Sequence, residues 1–216
     1  MFSSAFLKGL YGITDSKLMP DDDTLLRRIT AAIEGGMKIL QYRDKSDDQV
    51  RRLRQATALR ELCHQAGVLF LINDDVDLAI ACQADGVHLG QGDEALASAR
   101  KRLASNAVIG ISCEDSLDLA RKAVTQGADY IAFGRFFPSR TKPDAPLTPM
   151  HRLCDARTQF SVPIVAIGGI TRDNAPQLVT SGADMLAVVN DLFAPQDTVT
   201  ITQRAREYRD LYPMNS

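Results

Sequence analysis

The chain has 216 residues, and its 25 lysines and arginines are balanced by 27 aspartates and glutamates to a net charge of −2. That near-neutrality excludes the clustered positive excess of a nucleic-acid footprint, and no apolar run approaches the roughly 18–20 residues of a membrane helix. The length suits one large domain or two small ones and can bury a substantial core.

In chain order, Leu10–Thr14 reads as a first strand and Asp22–Glu34 as the helix after it. EGGMKIL (34–40) then runs through a glycine turn, which supplies the left-handed position that ends a helix, straight into a strand at Lys38–Arg43. The same small-residue turn before a short apolar run recurs in QAGVLFL (65–71), QADGVHL (83–89), QGADYIAF (126–133) and SGADMLAV (181–188). Short, non-alternating apolar runs mark parallel strands buried on both faces. Ser46–Ala66 reads as a long helix, with a capping box expected from Ser46 and Gln49 and an apolar stripe of Leu53, Ala56, Leu59, Cys63 and Ala66. Strands follow at Leu69–Asn73, Gly86–Leu89, Val108–Ser112, Tyr130–Gly134, Pro163–Gly168 and Met185–Val189. Helices are predicted in Asp93–Leu103, Glu114–Gln126, Pro149–Thr158, Asn174–Ser181 and Thr198–Leu211, with barely two turns in Asp75–Gln83. Eight strands, each followed by a helix or short turn, predict an α/β fold. The expected form is a single (β/α)8 TIM barrel occupying residues 1–216 as one domain, at the short end of the usual length. A doubly wound open sheet competes, but eight units without a G-x-G-x-x-G favour closure.

The four cysteines, Cys63, Cys82, Cys113 and Cys154, are widely spaced without a C-x-x-C and read as small apolar core residues in a reducing compartment. The three histidines, His64, His88 and His151, do not cluster, which argues against a zinc site. The opening MFSSAFLKGLYG lacks a basic n-region and a long apolar core, so no signal peptide is expected and the cytoplasm is the expected location.

In such barrels chemistry sits at the C-terminal ends of the strands. The second strand ends in QYRDK (41–45), where alternation puts Gln41, Arg43 and Lys45 on one side and Tyr42 and Asp44 on the other. One amide and two cations suit a diphosphate, whose oxygens accept from guanidinium and ammonium groups. Taken alone, the stretch does not choose between that clamp and a solvated strand end. Asp74 and Asp93 follow neighbouring strands, which lie about 4.8 Å apart, so two such carboxylates can share a Mg²⁺. Asp75 and Asp77 compete with Asp74, and Asp93 also stands where a helix N-cap belongs. FGRFFPSRTKPDAP (133–146) carries the donors Ser139, Arg140, Thr141 and Lys142 between three prolines, a composition that favours anion binding over a bland basic loop. The Gly168-Gly169 turn and Val189-Asn190 end the last two strands, where this fold commonly binds phosphate. His88 reads as a satisfied core histidine and is left out of the site. Two anion subsites with a basic loop between them suit an enzyme that joins a diphosphate substrate to a phosphate substrate.

QYRDK, INDD (72–75), GVHLGQGD (86–93), GIS (110–112), FGRFFPSRTKPDAP, VAIGGIT (165–171) and the GAD turn at 182–184, in this order, resemble the thiamine-phosphate synthase family over nearly the whole chain. The resemblance implies a Mg²⁺-dependent transferase that couples hydroxymethylpyrimidine diphosphate to thiazole ethyl phosphate and releases pyrophosphate. It implies one Mg²⁺ per subunit on Asp74 and Asp93. It implies pyrimidine-diphosphate contacts from Gln41, Tyr42, Arg43, Asp44, Lys45, Asn73, Ser112 and Lys142, of which Arg43, Lys45, Ser112 and Lys142 serve the reacting centre. Ser139, Arg140, Thr141, Gly169, Val189 and Asn190 are implied for the thiazole phosphate. The family often has Thr where this chain has Ser139, which keeps the hydroxyl, and Ser where it has Asn190, which weakens that assignment. A thiazole tautomerase on the same fold, with no use for a diphosphate clamp, and a non-catalytic ligand-binding relative are the alternatives. A homodimer is compatible with the chain but not required by it.

Overall fold

A computed structural model of the chain describes residues 7–138 and 146–212. Eight parallel strands close in sequence order into a barrel: β1 (Gly9–Ile13), β2 (Ile39–Tyr42), β3 (Leu69–Asn73), β4 (Gly86–Leu89), β5 (Val108–Ser112), β6 (Tyr130–Gly134), β7 (Ile164–Ile167) and β8 (Met185–Val188). The helices are α1 (Asp22–Glu34), α2 (Gln49–Ala66), α3 (Val76–Ala81), α4 (Leu96–Arg102), α5 (Leu117–Thr125), α6 (His151–Gln159), α7 (Ala175–Thr180), α8 (Asn190–Phe193) and α9 (Thr198–Arg209). The expected (β/α)8 barrel is therefore the observed fold. α8, one turn at the mouth, is an element that periodicity does not reveal.

Strand alternation sorts the apolar residues into two sets. One set, including Leu10, Leu40, Phe70, Ile72, Val87, Ile109, Ile131 and Leu186, packs between the strands and the helices. The other, including Tyr11, Ile39, Leu71, Val108, Tyr130, Val165 and Met185, fills the barrel interior. Gly110 makes room for this filling, because a Cβ there would lie 1.9 Å from Cζ of Tyr130.

The repeated turns before the strands have a structural purpose. Asp85, Asp129 and Asp184 each stand one residue before an even-numbered strand. Each carboxylate accepts a backbone N–H from the start of the strand before it: Phe70 at 2.8 Å, Ile109 at 2.7 Å and Ile164 at 2.8 Å. Arg100 and Arg157 brace Asp129 and Asp184. These staples close the end of the barrel away from the mouth. Asp184→Ala leaves the Ile164 N–H without its side-chain acceptor, so urea unfolding should show a loss of about 1–3 kcal/mol with turnover unchanged.

Several local expectations are corrected. The cap of α2 is Asp48, whose carboxylate accepts from Arg51 N–H, so the Ser46–Gln49 box does not form. In the same helix Leu53 and Ala66 are exposed, and Gln55 takes a buried place beside Ala56, Leu59 and Cys63. A polar residue is tolerated there because its amide oxygen accepts from the Tyr42 hydroxyl at 2.8 Å and its nitrogen donates to Asp22 at 2.8 Å. Cys63, Cys82 and Cys113 are buried as expected, but Cys154 is exposed on α6. Among the described residues no helix is long and apolar enough to cross a membrane.

Candidate active site

The C-terminal ends of the strands surround a cavity of about 690 Å³, within the size range of small-molecule sites. Gln41, Arg43, Asn73, His88 and Ser112 line one side, and Gly168, Gly169, Val189 and Asn190 line the other. A second cleft, of about 410 Å³, adjoins it at Asn73 and is bordered by Lys45, Asp74, Asp75 and Glu94.

QYRDK divides as alternation predicts, but its three inward residues stand at different depths. Gln41 lies on the floor, 3% exposed, with Nε2 donating to the Tyr11 hydroxyl at 2.6 Å. Arg43 lines the wall, and its backbone is clasped by Thr14, whose Oγ1 accepts from Arg43 N–H at 2.7 Å and lies 3.1 Å from Arg43 O. Lys45 sits at the rim and pairs with Asp74. Tyr42 and Asp44, expected either to contact substrate or to hold the clamp in place, are turned to the helix side. Tyr42 donates to Gln55 on α2. Asp44 accepts from Ser46 N–H at 2.9 Å and from Arg51 at 2.7 Å. Burial acts to raise the Asp44 carboxyl, and these hydrogen bonds outweigh it and hold it below the usual range. Both residues therefore brace the strand end from behind.

The competition among the acidic residues is resolved by their partners. Asp75 caps α3 through Leu78 N–H at 2.9 Å and pairs with Arg52 at 2.7 Å. Asp77 pairs with Arg102 on the surface. Asp93 does not cap α4, where Ala95 is the capping position; it turns back to accept from Gly90 N–H at 2.7 Å. That leaves Asp74 and Asp93, whose side chains meet. Burial and the neighbouring Asp74 carboxylate raise the Asp93 carboxyl. In Asp74 burial works in the same direction, but hydrogen bonds from Asp93 and Lys45 outweigh it and lower the carboxyl. Asp74 has a left-handed backbone, φ 64°, which is uncommon for a non-glycine residue and concentrates at functional sites. Two carboxyls drawn together offer oxygen donors that suit a divalent cation needing further ligands, and the Lys45 ammonium beside them adds positive charge without being a ligand. Among the described residues no group of three or more such side chains could hold a metal alone.

On the opposite side the loop after β6 is laced to the loop after β7. Phe136 N–H donates to Ile167 O at 3.2 Å and Phe137 N–H to Gly168 O at 3.1 Å. Gly168 and Gly169 have φ of 100° and 64°, and a Cβ on Gly169 would lie 2.4 Å from Pro138 O. Only glycine fits that approach. Asn174 pins the turn, donating to Gly169 O at 3.0 Å and accepting from Thr171 N–H at 2.9 Å. Ser139, Arg140, Thr141 and Lys142 lie outside the described residues.

The family model for thiamine monophosphate synthase matches residues 10–192. The chain belongs to the thiamine monophosphate synthase family. Members of this family are transferases of thiamine biosynthesis acting on small molecules. The thiamine phosphate pyrophosphorylase of Pyrococcus furiosus is 34% identical, with a TM-score of 0.84 over 96% of each chain. That of Bacteroides thetaiotaomicron, 18% identical with a TM-score of 0.66 over 94% of this chain and 96% of its own, shares the fold. So does a 3-hexulose-6-phosphate synthase, 16% identical with a TM-score of 0.68 over 95% of this chain and all of its own.

Sequence reasoning missed part of the floor. His88, expected as a satisfied core histidine, is satisfied, with Nε2 2.9 Å from Ser112 Oγ and Nδ1 2.9 Å from the Tyr130 hydroxyl, but it also lines the cavity. Tyr11 also lines it, and Gln91 Nε2 donates to Ser112 O. For His88 the signal was available: alternation along β4 puts it on the same side as Gly86, facing inward.

Proposed function

We propose that the chain couples hydroxymethylpyrimidine diphosphate to thiazole ethyl phosphate, or its carboxylated tautomer, giving thiamine phosphate and pyrophosphate with Mg²⁺. The observation that carries this reading is that the cavity lined by Arg43 adjoins, at Asn73, the cleft where Lys45 pairs with Asp74, whose side chain also meets that of Asp93. A diphosphate leaving group calls for cations on its oxygens and for carboxylates that recruit a divalent ion beside them.

Asp74 and Asp93 would hold one Mg²⁺, two carboxylates being a usual protein contribution to such a site. Bound there, Mg²⁺ would supply positive charge against the departing pyrophosphate. Arg43 and Lys45 donate to the same oxygens, an electrostatic contribution that grows as the C–O bond breaks. The bonding pair leaves with the pyrophosphate, and the aminopyrimidine ring delocalises the positive charge left on its exocyclic methylene. Gln41, Asn73 and Ser112 hold the ring, so that the thiazole nitrogen can supply the pair for the new C–N bond at close range. Tyr42 and Asp44 support the clamp from behind. Gly169, Val189 and Asn190 hold the thiazole phosphate. From the resemblance, Ser139, Arg140 and Thr141 complete that subsite and Lys142 reaches back to the diphosphate. The transfer requires no protein nucleophile.

Incubation of the folded protein with both substrates and Mg²⁺ should yield thiamine phosphate and pyrophosphate in equal amounts. Folded protein without product rejects the reading. A thiazole tautomerase would instead turn over the thiazole phosphate alone and fail to bind the pyrimidine diphosphate.

A further inference from the structure

Five polar side chains cross the floor of the mouth in one unbroken line. Gln41 Nε2 is 2.6 Å from the Tyr11 hydroxyl, which is 2.9 Å from the Tyr130 hydroxyl. The Tyr130 hydroxyl is 2.9 Å from His88 Nδ1, and His88 Nε2 is 2.9 Å from Ser112 Oγ. The two tyrosines are buried, and burial raises both phenols well above their ordinary range, so both keep their protons. Among the described residues, the side-chain hydrogen-bond partners of each tyrosine are its two neighbours in the line.

A hydroxyl has one proton to donate, and a buried donor without an acceptor carries its full desolvation penalty. With a neutral His88, which has one N–H to give, the bonds must therefore all run the same way. In one direction Gln41 donates to Tyr11, Tyr11 to Tyr130, Tyr130 to His88 Nδ1, and His88 Nε2–H to Ser112. Ser112 then keeps its own proton for the mouth, and Gln41 presents its carbonyl oxygen. In the other direction every bond reverses, which requires the Gln41 amide to turn over. The nitrogen of Gln41 is the atom on Tyr11, which corresponds to the first direction.

We propose that Tyr11, Tyr130 and His88 are positioning residues that lock Gln41 and Ser112 into one joint hydrogen-bond polarity. The mouth thereby selects a planar heteroaromatic ring with a donor towards Gln41 and an acceptor towards Ser112. This rests on reading the mouth as the pyrimidine diphosphate subsite. The His88 tautomer reports the lock directly.

The test is ¹⁵N NMR of the full, substrate-free protein with labelled histidine, His88 being assigned among the three histidines by His88→Asn. The neutral Nε2–H tautomer alone is expected in the wild type, and a mixture of both tautomers in Tyr130→Phe. Tyr11→Phe cuts the line at the next joint and serves if Tyr130→Phe does not fold. In the coupled assay Tyr130→Phe should lower kcat/KM for the pyrimidine diphosphate about tenfold, with KM for the thiazole phosphate unchanged. An Nδ1–H tautomer in the wild type, tautomers unaltered by either variant, or equal losses for both substrates would overturn the proposal. The NMR arm needs no substrate. A locked His88 in a protein that makes no thiamine phosphate would reject the proposed reaction while leaving the lock in place.

Discussion

Asp93→Asn should lower Mg²⁺-dependent turnover about a hundredfold or more, the scale of removing one preorganised electrostatic contact from a transition state. The substitution is chosen to spare the fold. Asp93 Oδ2 accepts from Gly90 N–H at 2.7 Å, and the asparagine carbonyl can accept the same bond. What disappears is the charge that meets Asp74. Asp74→Asn is the matched variant, because asparagine is among the few residues that tolerate the left-handed backbone found there. Both variants should need more Mg²⁺ for half-maximal rate while unfolding within a few degrees of the wild type. Chelation of Mg²⁺ should abolish turnover of the wild type and be reversed by adding the ion back. Wild-type Mg²⁺ dependence in both variants would reject the metal assignment.

Gly110→Ala should be among the most damaging single-methyl changes in the barrel. The added Cβ would lie 1.9 Å from Cζ of Tyr130 and 2.3 Å from both Cε atoms. Neither side can yield easily. Gly110 is paired to His88 on one flank and to Tyr130 on the other, and the Tyr130 ring is wholly buried at the centre. Overpacking of a filled core typically costs about 1–3 kcal/mol, and the upper half of that range corresponds to a fall in Tm of about 5–10 °C for a chain of this size. Activity should fall with it, because displacement of Tyr130 breaks its contact with His88 and through it the support of Ser112. Gly92→Ala is the stability control, since nothing lies within 4 Å of a Cβ there. Equal melting temperatures for the two variants would show that the interior has slack that the packing does not suggest.

Much of the fold could be read from the sequence because its signals are local. β3, β4, β5, β6 and α1 coincide residue for residue with the expected segments. Buried parallel strands are short apolar runs, and the turns before them repeat the same small residues. Helix ends were less legible. Ser46, Asp48 and Asp93 are all chemically able to cap, and the choice of Asp48 for α2 and of no side chain for α4 depends on where the chain arrives in space.

For the site, local chemistry was enough to mark QYRDK, the Asp74 and Asp93 positions and the Gly168-Gly169 turn, and their order along the chain was enough to suggest the family. Tertiary structure decided which of these residues are available. Asp75 and Asp77 are occupied by Arg52 and Arg102, partners 23 and 25 residues away, and so Asp74 is left to meet Asp93. Tyr42 and Asp44 are claimed by α2. His88 joins the floor through Tyr130, 42 residues on, and Ser112, 24 residues on. Local sequence determined the strands, their polar ends and the supply of charge. The partner of each polar group was decided by contacts between distant segments, which exist only once the barrel has closed.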